Sequence, residues 1–226
     1  MMKTAENAAR VRARRAVSKA DKTQRRDTIL QAADAQMYAV GIDAFSMEVL
    51  ARELGFARGT LYRYFATREE LLLELTVQKR DIWTADLIAA VSSGMTDAQF
   101  INVFKACCDS DELHLRLSGR LESVIEQNVT LECYILAKQK MHHSLRLLAE
   151  HLVDALNLEP TEISHLILVL GALYIGAQQM MMTPPFNPDD LPQELRYAME
   201  TAHKQDLFAP NALYILTGLR QENHSR

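Results

Sequence analysis

Within six residues, Arg58, Gly59, Thr60, Tyr62 and Arg63 set guanidinium and hydroxyl donors around one position that has no side chain. Guanidiniums and hydroxyls donate to phosphate oxygens, and an arginine can pair bidentately with a guanine edge. Gly59 is a small residue where two backbones must approach. The chemistry on offer is recognition of a polyanion. Catalysis has no such foothold: the chain contains no nucleophile–base pair, zinc-ligand spacing or phosphate-binding loop, so an enzyme is not expected. Arg58 is the candidate base reader, with a phosphate contact as the competing role.

Two short helices are needed to present this face. Met47, Leu50, Ala51 and Leu54 recur at i, i+3, i+4 and i+7, one apolar side of a helix. Ser46 stands ahead of them as an N-cap whose hydroxyl accepts from an unpaired backbone N–H. Gly55 supplies a residue tolerant of positive φ at the turn. A second helix, from about Ala57 to Tyr64, carries few core residues and keeps its donors outward. A helix lying in a DNA major groove has these requirements.

Residues from about Lys22 to Trp83 resemble the DNA-binding domain of TetR/AcrR-type transcriptional regulators. The matching positions are Arg25 and Arg26, Ile29 with Ala32 and Ala33, Gly41, Phe45, and the string GTLYRYFATREEL from Gly59 to Leu71. The resemblance implies that Tyr62 gives its hydroxyl to a phosphate and that Thr60 contacts a phosphate or a thymine methyl. It implies that Ser46 doubles as cap and phosphate donor, and it places Gly59 and Tyr64 in the same contact surface. Arg68 sits at a helix N-terminus, where a cation opposes the helix dipole; a phosphate there would remove the conflict. Glu48 stands where some members of the family have arginine, so that helix is not assigned a base contact.

Composition supports a soluble, cytoplasmic globular chain. Of 226 residues, 48% are hydrophobic, and the eight glycines and six prolines are few for this length. Net charge is −4, yet residues 1–70 carry 13 Lys and Arg against 9 Asp and Glu, and the remainder 12 against 20. The positive charge is concentrated around the helix-turn-helix, as a phosphate-facing module needs. Cys107, Cys108 and Cys133 make an odd count without repeated spacing, which argues against a disulfide framework. The basic start lacks a signal-peptide core, and the apolar run Leu166–Ala177 is too short to span a bilayer. No membrane partner is expected.

The pattern predicts an all-α chain. Residues 1–21 form a basic, flexible arm, either a solvated tail or an arm that follows DNA. Residues 22–83 form the DNA-binding domain, and 84–226 a larger helical domain for ligand binding and dimerisation. Helices are expected at about 22–40, 67–91, 96–108, 111–127, 130–156, 160–182, 190–205 and 210–222. Thr67 and Glu70 read as a capping box opening the long helix, Thr96 and Gln99 as another, and Pro160 suits a first turn. Residues 183–188, rich in proline, break the chain.

Chemistry in the C-terminal part is sparse. His142 and His143 are adjacent and diverge on a helix, so no metal site or cofactor is expected. Met180, Met181 and Met182 are ordinary packing or a soft pocket lining, and Cys107 and Cys108 are inert thiols or oxidant sensors. Leu168, Ala172, Gly176 and Met180 form an i+4 stripe; a helical glycine costs roughly 1 kcal/mol relative to alanine, which close approach of another helix offsets. Ala212, Ile215, Leu216 and Leu219 form a second stripe. The resemblance implies that these two helices pair with their copies in a homodimer, although a bundle within one chain would show the same pattern. It further implies double-stranded DNA with a pseudo-palindromic operator as partner and an apolar small-molecule effector that releases a repressor. The effector-binding residues are not assigned. The rival readings are a DNA-occluding or organising protein without an inducer, and a helical protein-interaction module.

Overall fold

The computed structural model describes the backbone of residues 2–181, 187–203 and 205–224, and the side chains of 21–57, 59–181, 187, 189–199, 201 and 205–222. Among the described residues the regular structure is entirely helical. Ten α-helices follow in order: α1 Met2–Val40, α2 Met47–Glu53, α3 Arg58–Leu61, α4 Arg68–Ala90, α5 Asp97–Asp109, α6 Glu112–Ser118, α7 Leu131–Leu156, α8 Pro160–Met180, α9 Gln193–His203 and α10 Ala209–His224. By its contacts the chain divides into a first unit, residues 1–75 with 120–134, and a second, 76–119 with 135–226. The segment 120–134, assigned by sequence to the C-terminal domain, therefore packs with the head.

In the first unit, Ile29, Leu30, Ala33 and Met37 give α1 its buried side, and Gly41 ends the helix at φ +83. Ile42, Phe45, Met47, Leu50, Ala51, Leu61 and Phe65 complete an apolar interior beneath the short helices. Each large side chain so buried contributes about 1.5–3 kcal/mol. The helical backbone of α1 starts at Met2 instead of near Lys22, running through the expected arm; side chains 1–20 lie outside the described residues.

The expected helix 111–127 is interrupted. α6 stops at Gly119, whose N–H bonds Leu115 O, and a π-helical turn Leu121–Ile125 and a 3-10 turn Glu126–Asn128 follow. The N–H groups of Val124 and Ile125 both converge on Arg120 O at 3.0 Å. Leu121 and Ile125 in this widened turn are both buried.

The second unit is built on an aromatic centre. Trp83 meets Phe104 edge-on at 5.5 Å, Phe104 stacks on Phe208 at 5.8 Å, and Tyr174 meets Phe208 edge-on at 5.2 Å. Leu87, Phe100, Leu148, Leu152, Leu166 and Leu170 surround it. Thr96 and Gln99 form the expected capping box on α5, and Glu159 with Glu162 forms a further one ahead of Pro160. Arg220 of α10 grips Asp97 with both Nε and Nη2, at 2.6–3.1 Å. By length and composition α8 would suffice to cross a membrane, unlike its twelve-residue apolar run; here Ile163, Leu166, Ile167, Leu170 and Tyr174 bury one face of it in this core. The predicted break at 183–188 and the Met182 reading lie largely outside the described residues.

Candidate nucleic-acid interface

Local geometry follows the sequence closely up to the turn. Ser46 is extended at φ −132, ψ 124, and its Oγ accepts from Val49 N at 3.5 Å, a long N-cap bond. Met47, Leu50 and Ala51 face the interior, while Glu48 is exposed. Gly55 takes φ +66, and Phe56 N then returns to Ala51 O at 2.8 Å, closing α2 by a left-handed cap.

α3 is shorter than predicted. Its regular part is Arg58–Leu61, and the chain continues through Tyr64 with tighter bonds, Arg63 N to Thr60 O at 3.2 Å and Tyr64 N to Leu61 O at 2.9 Å. Leu61 and Phe65 are fully buried and anchor both ends of this stretch. Between them Gly59, Tyr62 and Arg63 are exposed and Thr60 is half-buried. Tyr62 is 40% exposed, a large fraction for an aromatic beside two buried neighbours. Arg63 donates to Thr60 Oγ1 at 3.3 Å. A Cβ built on Gly59 meets no atom within 4 Å, so packing within the chain does not require glycine there. The side chain of Arg58 lies outside the described residues.

The turn from Tyr64 to Thr67 is held from several directions. Arg26 of α1 donates from Nη1 to Tyr64 O, lies over the Phe65 ring at 4.1 Å, and binds both carboxylate oxygens of Glu74 through Nε at 2.7 and 2.9 Å. Glu70 is buried; its Oε2 accepts from Ala66 N at 2.9 Å and its Oε1 from the Thr130 hydroxyl at 3.1 Å. Burial alone would raise the Glu70 carboxyl, but these hydrogen bonds outweigh it and hold the group below its ordinary value. Thr67 accepts from Glu70 N at 3.0 Å, as a capping box requires. The return bond goes to Ala66, one residue before the expected position, and the Thr67 hydroxyl donates to Asn128 O at 3.3 Å. Arg120 also reaches Asp43 at 2.7 Å within the same unit.

One expected face changes once these contacts are known, while the Arg68 expectation loses its electrostatic motive. Arg68 does not need a phosphate to relieve its unfavourable place at a helix start. Its guanidinium donates to Ile42 O, pairs with Glu69 at 3.3 Å and lies 5.8 Å from the centre of Phe45. Ala212 and Leu216 are fully buried in this chain's own core and cannot form a face for a second copy; Ile215 and Leu219 are half-buried against that core. The outward residues of α10 are instead Leu213, Tyr214, Thr217 and Gly218. On α8 the stripe does face outward: Leu168 is 51% and Met180 77% exposed, Ala172 is exposed and Gly176 half-buried.

In the sequence Arg26 is only a mark of resemblance, and Glu74 and Thr130 carry no signal at all. Pairs separated by 48 and 60 positions leave no periodic trace. Among the described residues no group of three or more His, Cys, Asp or Glu side chains could hold a metal ion.

A capped helix, a glycine turn and a short second helix with outward donors over a buried apolar floor define a helix-turn-helix DNA-binding head. Residues 29–75 match the family described as bacterial regulatory proteins, tetR family, and residues 77–223 match the tetracyclin repressor-like C-terminal domain. The chain belongs to the TetR family of transcriptional regulators, which are DNA-binding proteins. Its fold is similar to that of a possible TetR family transcriptional regulator from Streptomyces coelicolor A3(2), with TM-score 0.56 and 15% identity over 87% of this chain and 98% of that one. It is also similar to the multidrug binding protein EbrR complexed with imidazole, with TM-score 0.50 and 18% identity over 81% of this chain and 94% of that one.

Proposed function

We propose that the chain acts as a cytoplasmic homodimeric repressor that an apolar small molecule releases from a pseudo-palindromic operator. The observation that carries DNA recognition is the outward face of Gly59, Thr60, Tyr62 and Arg63 over a buried floor. In this reading Tyr62 and Thr60 serve phosphates, Ser46 adds a donor at the start of α2, and Arg58 reads a base edge. Two heads then occupy successive major grooves about 34–36 Å apart.

Pairing of subunits through α8 and α10 is supported by the exposed Leu168, Ala172, Met180, Leu213 and Tyr214. Added Cβ atoms at Gly171, Gly176 and Gly218 would meet nothing within 4 Å, so no neighbour within the chain accounts for these glycines. A second copy packed closely would.

Effector binding in the second unit is supported by its aromatic interior and by one buried donor. Trp83 is 9% exposed, and its Nε1 has no hydrogen-bond partner of good geometry; the Cys108 thiol beside it is a weak acceptor. A flat, largely apolar molecule bearing one acceptor would match these groups, as small-molecule binding by the similar EbrR encourages. A hundredfold release requires about 2.7 kcal/mol of coupling between effector and DNA. The tight burial of Leu87, Phe100 and Phe104 favours the second reading, a DNA organiser with no inducer.

In vitro selection from random duplexes, followed by fluorescence anisotropy at about 150 mM salt, tests the reading. The expected product is a palindrome bound at nanomolar concentration, two chains per site. Recovery of no shared motif rejects it. Aromatic ligands that raise the melting temperature yet leave operator affinity unchanged would favour the organiser.

A further inference from the structure

We infer that Arg26, which stands in α1 outside the DNA-contacting helices, is a positioning residue for sequence recognition: it fixes the end of the α3 turn and thereby the face that carries Thr60 and Tyr62. The inference deepens the DNA-binding reading and rests on it. Three contacts converge on one guanidinium. Nη1 donates to Tyr64 O, the carbon centre sits 4.1 Å from the Phe65 ring centroid, and Nε and Nη2 grip the Glu74 carboxylate. Tyr64 and Phe65 immediately follow the exposed pair Tyr62 and Arg63. Three partners lie on two different segments, the α3 turn and α4, both distant in sequence from α1.

The turn needs such a fastening. Regular α-helix ends at Leu61, and Arg63, Tyr64 and Phe65 are held by bonds of 2.9–3.2 Å to Thr60 O and Leu61 O. Short turns of this kind are weak without tertiary support. The Tyr64 carbonyl would otherwise compete for water. A guanidinium suits the task because it is planar, carries five donors and stacks on an aromatic face; an ammonium supplies a point charge only. With Arg26 at 31% and Glu74 at 23% side-chain exposure, the pair is shielded enough to hold one geometry.

Arg26→Lys and Glu74→Gln, each in the full-length chain, test this against two simpler roles. Specific and nonspecific affinities are measured across a salt series, and hydrogen exchange is followed at the amides of Arg63, Tyr64 and Phe65. Positioning predicts that Arg26→Lys lowers the ratio of specific to nonspecific affinity on the order of tenfold, the cost of misreading a base pair. The salt slope stays the same, and the three amides exchange faster while those of α8 do not change. Glu74→Gln is the sharper variant. Removing an anion should tighten binding to every DNA if charge alone matters, whereas positioning predicts weaker operator binding.

An equal loss of affinity on operator and nonspecific duplexes, leaving their ratio unchanged, would make Arg26 a phosphate ligand and overturn the inference. Unchanged exchange at the three amides in both variants would also overturn it. If Arg26→Lys does not fold, Glu74→Gln decides. A wild-type chain without sequence preference would refute the DNA-binding reading itself, and the exchange data would still judge Arg26.

Discussion

Gly59→Ala should raise stability and lower DNA affinity, a combination that separates a functional glycine from a structural one. Gly59 lies inside α3, is exposed, and has no atom within 4 Å of the place a Cβ would take. Its backbone is not in the left-handed region, unlike Gly41, Gly55 and Gly94, so alanine suffers no strain. Helix propensity alone then favours alanine by about 0.8–1.0 kcal/mol in a helix interior. A single turn realises part of that, giving roughly 0.5 kcal/mol and a melting temperature higher by about 1–2 °C for a chain of this size. In the proposed DNA-binding reading an added methyl group holds the Gly59 backbone away from the DNA. Loss of one close backbone approach should cost about 1–2 kcal/mol, near tenfold in Kd for each half-site. Thermal unfolding and operator anisotropy on the same samples provide the assay. Operator binding as tight as wild type would refute the reasoning, since Gly59 would then have no role that alanine cannot fill. A fall in melting temperature would refute the open-space argument instead.

Other outcomes follow from the same geometry. Tyr62→Phe should weaken binding to all duplexes about equally without changing the salt slope, since a neutral hydroxyl releases no counterion; Arg58→Ala should also relax sequence preference, and a uniform loss would make it a phosphate contact. Gly176→Arg should give a folded monomer by sedimentation that no longer binds operator, and a persistent dimer would reject the α8 interface. His114 is held neutral: burial pushes its imidazole down to about 4, with Arg80 and Lys79 also lowering it and Asp111 opposing them. Between that value and an unfolded pKa near 6.5 the unfolded chain binds more protons, so stability is intact above about pH 6.5 and falls as pH drops toward 4. The loss attributable to this residue is roughly 3 kcal/mol, and His114→Phe should flatten that part of the denaturation profile between pH 4 and 6.5.

The head was legible in the sequence because its determinants are local. Apolar spacing at Met47, Leu50 and Ala51, the Ser46 cap and the Gly55 turn each act within a few residues, and the chain folds there as periodicity dictates. So do the Thr96 cap and the first-turn Pro160. The failures lie where the deciding contact is remote. Both stripes proposed for pairing looked alike, yet Leu168 and Met180 are open while Ala212 and Leu216 are buried. Periodicity identifies an apolar face but not what covers it. α10 carries apolar residues on two sides, and only packing against α5 and α8 determines which side is core.

What the sequence determined by itself was the helix-turn-helix, the excess of positive charge in residues 1–70 and the all-α class, since these depend on residue type and short spacing. Tertiary structure alone decided that Arg68 is bound to Ile42 O and that Glu70 reaches Thr130. It also decided that 120–134 packs with the head and that Arg26 fastens the α3 turn. The physical reason is common to all four. A contact between residues 26 or more positions apart, up to 77 for Arg120 and Asp43, depends on where the whole chain has folded, and no short-range propensity encodes it.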